Sequence, residues 1–151
     1  MAIPSCLPET AELYEIGGQL TFNAMAWWED LGAWGATLAL MTLPPEADDV
    51  SLGSALTHMF EASARLPPET GREGTNALLK EVGVRSRAAL LRAARNAFVS
   101  RQPGGLVQII PTERDEGGGG WVHLPEGQID LEDPSEQEMG SALRIAFAKC
   151  R

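Results

Sequence analysis

The last thirteen residues, Met139-Gly140-Ser141-Ala142-Leu143-Arg144-Ile145-Ala146-Phe147-Ala148-Lys149-Cys150-Arg151, echo a stretch 87 positions earlier, Leu52-Gly53-Ser54-Ala55-Leu56-Thr57-His58-Met59-Phe60-Glu61-Ala62-Ser63. Leu52, Leu56, Met59, Phe60 and Ser63 align with Met139, Leu143, Ala146, Phe147 and Cys150, the i, i+4, i+7, i+8, i+11 stripe of an amphipathic helix. Each copy therefore reads as a helix docked by one apolar face, with Phe60 and Phe147 in the core.

What precedes each copy is also alike. An apolar extended run, Thr37 to Leu43 or Trp121 to Leu131, leads into an acidic turn with proline, Pro44-Pro45-Glu46-Ala47-Asp48-Asp49 or Glu132-Asp133-Pro134-Ser135-Glu136. Acids just before a helix or in its first turn meet the partial positive charge of unpaired amides, and Asp49, Ser51 and Ser135 are available caps. The pattern predicts two equivalent strand-turn-helix units covering one sheet.

Working outward, Leu13-Tyr14-Glu15-Ile16 alternates as a short strand that stops at Gly17-Gly18. Residues 20–34 hold three of the four tryptophans, Trp27, Trp28 and Trp34, in a run that fits either a helix or a bulged strand. Leu66 to Gly71 is a proline-bearing loop. Thr75 could cap a short helix ending at Gly83, and Ser86 a second running to about Ala97, with Leu90, Leu91, Ala94 and Phe98 inward and Arg85, Arg92 and Arg95 outward. Pro103-Gly104-Gly105 joins two strands as a hairpin, and Gly117 to Gly120 reads as another tip. The fold class is α+β, a mostly antiparallel sheet with a C-terminal hairpin meander, covered by four to five helices.

A chain of 151 residues is expected to form a single domain, 1–151, with residues 1–10 as a loose lead-in. Cys6 and Cys150 have no metal-ligand spacing, no Lys or Arg precedes Arg65, and no apolar run approaches the ~18 residues of a membrane span. These features point to a reduced, cytoplasmic protein without a membrane segment. The net charge of −9 is laid out acid, base, acid: nine acids and no base in 1–64, nine bases and four acids in 65–114, eight acids and three bases in 115–151. That balance disfavours nucleic acid as the partner; by itself it is accounted for by plain solubility, and it also suits a basic protein partner, which an acidic surface would steer.

No spacing of residues indicates chemistry. The glycine tract lacks a following Lys-Ser or Lys-Thr and joins two strands, so it is not a phosphate loop. His58 reads as a boundary residue of its helix, and Pro125 breaks any helical pairing of His123 with Glu126. No cofactor, metal or catalytic residue is expected. The alternatives are a small hydrolase or transferase, which would need His58 or His123 beside a carboxylate in a cleft, and a nucleic-acid-binding regulator using Arg85 to Arg101.

The order of motifs resembles the immunity proteins of bacterial contact-dependent growth inhibition systems. The matching segments are Leu43-Pro44-Pro45-Glu46-Ala47-Asp48-Asp49-Val50-Ser51-Leu52-Gly53 with its helix, Gly83-Val84-Arg85-Ser86, Ile110-Pro111-Thr112 before a gapped loop to Gly120-Trp121, and Met139-Gly140-Ser141-Ala142-Leu143 closing in Cys150-Arg151. They span residues 34–151. The resemblance implies a non-enzymatic cytosolic antidote that binds the C-terminal toxin domain of a large secreted effector, often a nuclease with a basic cleft. It designates no contact residues. Charge and placement in turns nominate Asp48, Asp49, Asp115, Glu116, Glu126, Asp130, Glu132 and Asp133 as toxin-binding acids.

Overall fold

The computed structural model describes residues 7–67 and 72–151. Alternation along the first strand, β1 (Glu9–Ile16), sends Ala11 and Leu13 to one face and Thr10, Glu12 and Tyr14 to the other, which splits the core into two layers. The elements that follow are β2 (Gln19–Trp28), β3 (Ala33–Leu43), α1 (Asp49–Arg65), α2 (Glu73–Val82), α3 (Arg87–Ala93), β4 (Arg95–Arg101), β5 (Leu106–Arg114), β6 (Trp121–His123), a 3-10 turn (Pro125–Gly127), β7 (Ile129–Glu132) and α4 (Glu136–Lys149). All pairings are antiparallel, in the order β3-β2-β1-β4-β5-β6, with β7 beside β5 on the same edge as β6. The sheet is an antiparallel α+β arrangement, and the two expected strand-turn-helix units are β3–α1 and β7–α4.

Those units belong to a larger duplication. Hairpin β1–β2 turns at Gly17-Gly18 and hairpin β4–β5 at Gly104-Gly105, again 87 residues apart, and all four glycines have positive φ. Leu20 and Phe22 of β2 correspond at the same offset to Val107 and Ile109 of β5, and all four are buried under the helices. The strand order reads alike from either edge, and Glu12 of β1 faces Phe98 of β4 at its centre. The chain is thus two ββ(β)α halves sharing one sheet, with α2 and α3 inserted between them.

α1 and α4 lie on the face of Ala11, Leu13, Phe22, Val99 and Ile109. Phe60 and Phe147 are both buried, as are Leu56 and Leu143. The two helices cross through reciprocal glycines: a Cβ on Gly53 would meet the Glu136 carbonyl oxygen at 1.9 Å, and one on Gly140 the Asp49 carbonyl oxygen at 1.9 Å. Only two residues without side chains let the backbones meet there. Ser135 caps α4 as expected, in a capping box with Glu138; α1 is capped by Asp48, which accepts from Ser51 N at 2.8 Å, and not by Asp49 or Ser51, which lie inside its first turn.

Residues 20–35 resolve as the strands β2 and β3 of a hairpin, joined by a turn at residues 29–32. β2 is buried along Leu20 to Ala26 because helices cover both of its faces, and a bulge opposite Ala24 is closed by Asn23 Nδ2 donating to Thr37 O and Ala39 O, and Thr37 Oγ1 to Ala24 O. Thr75 does not cap α2, which already begins at Glu73, and the helix that Ser86 does cap is shorter than the periodicity predicts. α3 ends at Ala93, and Arg95 lies in β4, where Ala97 and Val99 fill the core between β1 and β5. Of the lead-in, Glu9 and Thr10 are strand, with Thr10 N donating to Ser63 Oγ at 2.9 Å; residues 1–6, with Cys6, lie outside the described residues, as do 68–71 of the predicted loop.

Candidate partner-binding surface

Six of the eight nominated acids fall along one edge of the sheet. β6 and β7 flank β5 end to end, so Asp115 and Glu116 stand at the glycine-rich turn, Glu126 in the 3-10 turn, Asp130 and Glu132 on β7, and Asp133 just after it. All six are exposed, and among the described residues none is in an ion pair. Two are held locally: Asp115 accepts from Gly117 N at 3.1 Å and Asp130 from Gln128 Nε2 at 2.8 Å. Asp133 takes a positive φ of 44°, tolerable for a short polar side chain, and donates its N–H to Gly105 O. Charge along an unpaired edge resists strand pairing with other chains and also offers carboxylates to a basic surface.

The other two acids serve the helix crossing. Asp48 caps α1, and the hydrogen bonds from Ser51 hold its carboxyl below the usual carboxylate range. Asp49 is bound by Arg144 Nε at 2.6 Å, with the same guanidinium donating to Ala47 O.

The arginines of the middle third are also partly spoken for. Arg95 donates through Nη1 to Phe147 O at 2.8 Å near the C-terminus of α4 and through Nη2 to Glu15. Arg101 pairs with Glu9 at 2.8 Å and lies 5.0 Å from the Phe60 ring. Arg114 donates to the carbonyls of Leu91, Arg92 and Ala94 and so closes the end of α3. Arg85, Arg87 and Arg92 stay exposed.

On the opposite face of the sheet, a cleft of about 350 Å³ opens between β1, β2, the β2–β3 turn and α2. Its floor carries Glu12, Tyr14 and Asn23; Trp28 and Trp34 form one wall and Arg87 stands on another. Tyr14 donates its hydroxyl to one oxygen of Glu12. Burial pushes the Glu12 carboxyl up, against the hydrogen bond from Tyr14 and the nearby Arg87 charge, and burial beside Glu12 pushes the Tyr14 phenol well up. Asn23 is fully buried with its Nδ2 spent on the bulge, and among the described residues neither its Oδ1 nor the buried Trp121 Nε1 has a hydrogen-bond partner. Glu12 and Asn23 face each other across β1 and β2, two polar residues on the sheet face that also carries Tyr14 and Met25.

His123 is exposed and stacks at 5.2 Å on Phe98, and His58 is exposed on α1. Among the described residues neither histidine hydrogen-bonds a carboxylate, and no group of three or more His, Cys, Asp or Glu is arranged to hold a metal. Cys150 is buried, its Sγ against Asn96 O at 3.1 Å, and burial pushes its thiol up. No helix among the described residues is long and apolar enough to cross a membrane.

The fold is thus a duplicated α+β sheet with six exposed acids along one edge. The model of the CDI immunity protein (CdiI) family matches residues 14–150, and the chain belongs to that family. The match begins twenty residues before the motifs legible in the sequence. No curated protein matches the sequence. Among solved structures, a Neisseria meningitidis protein of unknown function is similar over 100% of both chains, with a TM-score of 0.75 at 18% identity. A CdiA-CT/CdiI toxin and immunity complex from Yersinia pseudotuberculosis is similar over 96% of this chain and 98% of that one, with a TM-score of 0.70 at 16% identity. At these identities the two structures share the fold with this chain.

Proposed function

We propose that this protein neutralises the C-terminal toxin domain of its own contact-dependent growth inhibition effector by binding it, in the cytoplasm and without chemistry of its own. The observation that carries this reading is the family match over residues 14–150. The toxin and immunity complex built on the same fold supports it. The toxin is a nuclease on this reading, because a cleft made for phosphates is basic and the six unpaired acids along the β5–β7 edge complement it. Asp115, Glu116, Glu126, Asp130, Glu132 and Asp133 are its contact acids, while Asp48 and Asp49 maintain α1. Neither nucleic acid nor a membrane is its partner.

The test is protection. Cells expressing the cognate toxin domain should survive only when this protein is co-expressed, and the two should co-purify. Charge reversal at a rim acid should mainly slow association and alter its salt dependence, whereas reversal at a desolvated centre should speed dissociation. Survival without a physical complex, or a complex indifferent to all six reversals, would refute the assignment.

A further inference from the structure

The floor of the cleft under α2 is richer in open acceptors than in free donors. The two donors there are committed: the Tyr14 hydroxyl to Glu12, and Asn23 Nδ2 to carbonyls of Ala24, Thr37 and Ala39. Among the described residues no hydrogen bond reaches the second oxygen of Glu12, and Asn23 Oδ1 is buried without one. A buried acceptor without a donor is an unmet demand that an incoming N–H can satisfy. The wall offers Trp28 and Trp34, whose ring faces favour a cation.

The mouth carries the same preference. Glu29 and Asp30 stand exposed in the β2–β3 turn, closed by Leu31 N donating to Trp28 O and Gly32 N to Glu29 O. Leu31 beside them is 64% exposed, the largest exposure among the large apolar side chains described. Arg87 on the far wall offsets one of the three carboxylates, which leaves the site net negative. A flat group with several N–H donors, a positive charge and an alkyl stem fits this set better than an ammonium does, because it can stack on an indole while donating to two separate acceptors.

We infer that this cleft receives an arginine side chain of the toxin domain, its guanidinium donating to Glu12 and Asn23 between the tryptophans, with Leu31 covered by the surrounding toxin surface. The inference rests on the immunity reading and adds a second contact region, on the opposite face from α1 and α4.

The experiment compares wild type, Glu12→Gln and Asp30→Lys for binding to the cognate toxin domain, with thermal melts to confirm folding. In parallel, the tryptophan indole N–H signals are followed by NMR with N-acetyl-arginine amide and with the uncharged N-acetyl-citrulline amide. Glu12→Gln should weaken the complex by about 30-fold or more, the lower end of the loss for one partner of a desolvated pair. Asp30→Lys should slow association. The indoles of Trp28 and Trp34 should shift with toxin and with the arginine amide, and not with citrulline. Toxin binding by both variants within threefold of wild type, with unmoved indoles, would overturn the cleft assignment and leave the immunity reading standing. If wild type forms no complex with the toxin, the immunity reading fails, and the amide titration alone decides the cleft: shifts with arginine only uphold the guanidinium site, and their absence rejects it.

Discussion

Replacing Gly140 by alanine tests the helix crossing that unites the two halves. In an exposed helix interior, glycine to alanine should stabilise by about 1 kcal/mol through propensity. Here the new methyl would lie 1.9 Å from the Asp49 carbonyl oxygen, 2.5 Å from its carbon and 2.7 Å from its Cα, all rigid backbone atoms. Opening that approach even to 3.0 Å needs the helices to part by about 1.1 Å, in a layer packed at crystal-like density. Overpacking costs about 1–3 kcal/mol and more where nothing can rotate away, so the net loss after the propensity gain should be about 2 kcal/mol. For a domain of this size that lowers Tm by about 4–8 °C. Gly53→Ala should behave alike, its methyl meeting the Glu136 carbonyl at the same distance. Because one separation of the helices relieves both clashes, the double variant should lose clearly less than the two single losses added together. Thermal and urea unfolding measure all three. A Gly140→Ala protein more stable than wild type, or strict additivity in the double variant, would refute the reciprocal crossing.

Truncating the stripe residues of α1 and α4, Leu56→Ala and Leu143→Ala, should each cost about 2–5 kcal/mol in urea unfolding, since both leucines are fully buried. Glu12→Gln should change the pH dependence of stability. A carboxyl whose native pKa is raised binds protons more readily in the native than in the unfolded chain, so its ionisation lowers stability as pH rises from the ordinary value of 4.5 through the raised one. The Tm advantage of the glutamine variant should therefore be absent in acid, grow across that window and level off above it. Titration with single- and double-stranded DNA and RNA in ~0.1 M salt should give no saturable binding, because Arg95, Arg101 and Arg114 are engaged within the fold. Micromolar affinity lost on replacing Arg85 and Arg92 would contradict this.

The helices that carry the repeat were legible because a buried stripe at 3.6-residue spacing survives as a pattern, and because Ser135 begins α4 with the chemistry of a cap; at α1 the run Asp48-Asp49-Val50-Ser51 offers several caps, and the one used is Asp48 and not Asp49 or Ser51. β2 was not, because burial on both faces removes alternation, and Phe22, Met25 and Ala26 then imitate a helical face. The end of α3 was hidden for another reason: Leu91-Arg92-Ala93-Ala94-Arg95 contains no turn residue, and β4 forms there because β1 and β5 leave a central place for Ala97 and Val99. Gly17-Gly18 and Gly104-Gly105 mark the same 87-residue offset as the helices and could have revealed the whole-half duplication. For the candidate surface, turn placement predicted exposure, but it could not separate acids that cap or pair, Asp48 and Asp49, from the unpaired six. Glu12 and Asn23 escaped notice because their cleft exists only once α2 crosses the bulged β2–β3 pair.

An inhibitor that occupies its toxin and does not alter it acts in stoichiometric amount, so the stoichiometry of inhibition is the most direct measurement. A fixed amount of active toxin domain, well above the Kd, is titrated with this protein while toxin activity is followed. Activity should fall linearly to zero at one equivalent and return when the complex is dissociated and the toxin repurified. Complete loss at a small fraction of an equivalent, irreversible loss, or full activity at tenfold excess would contradict it.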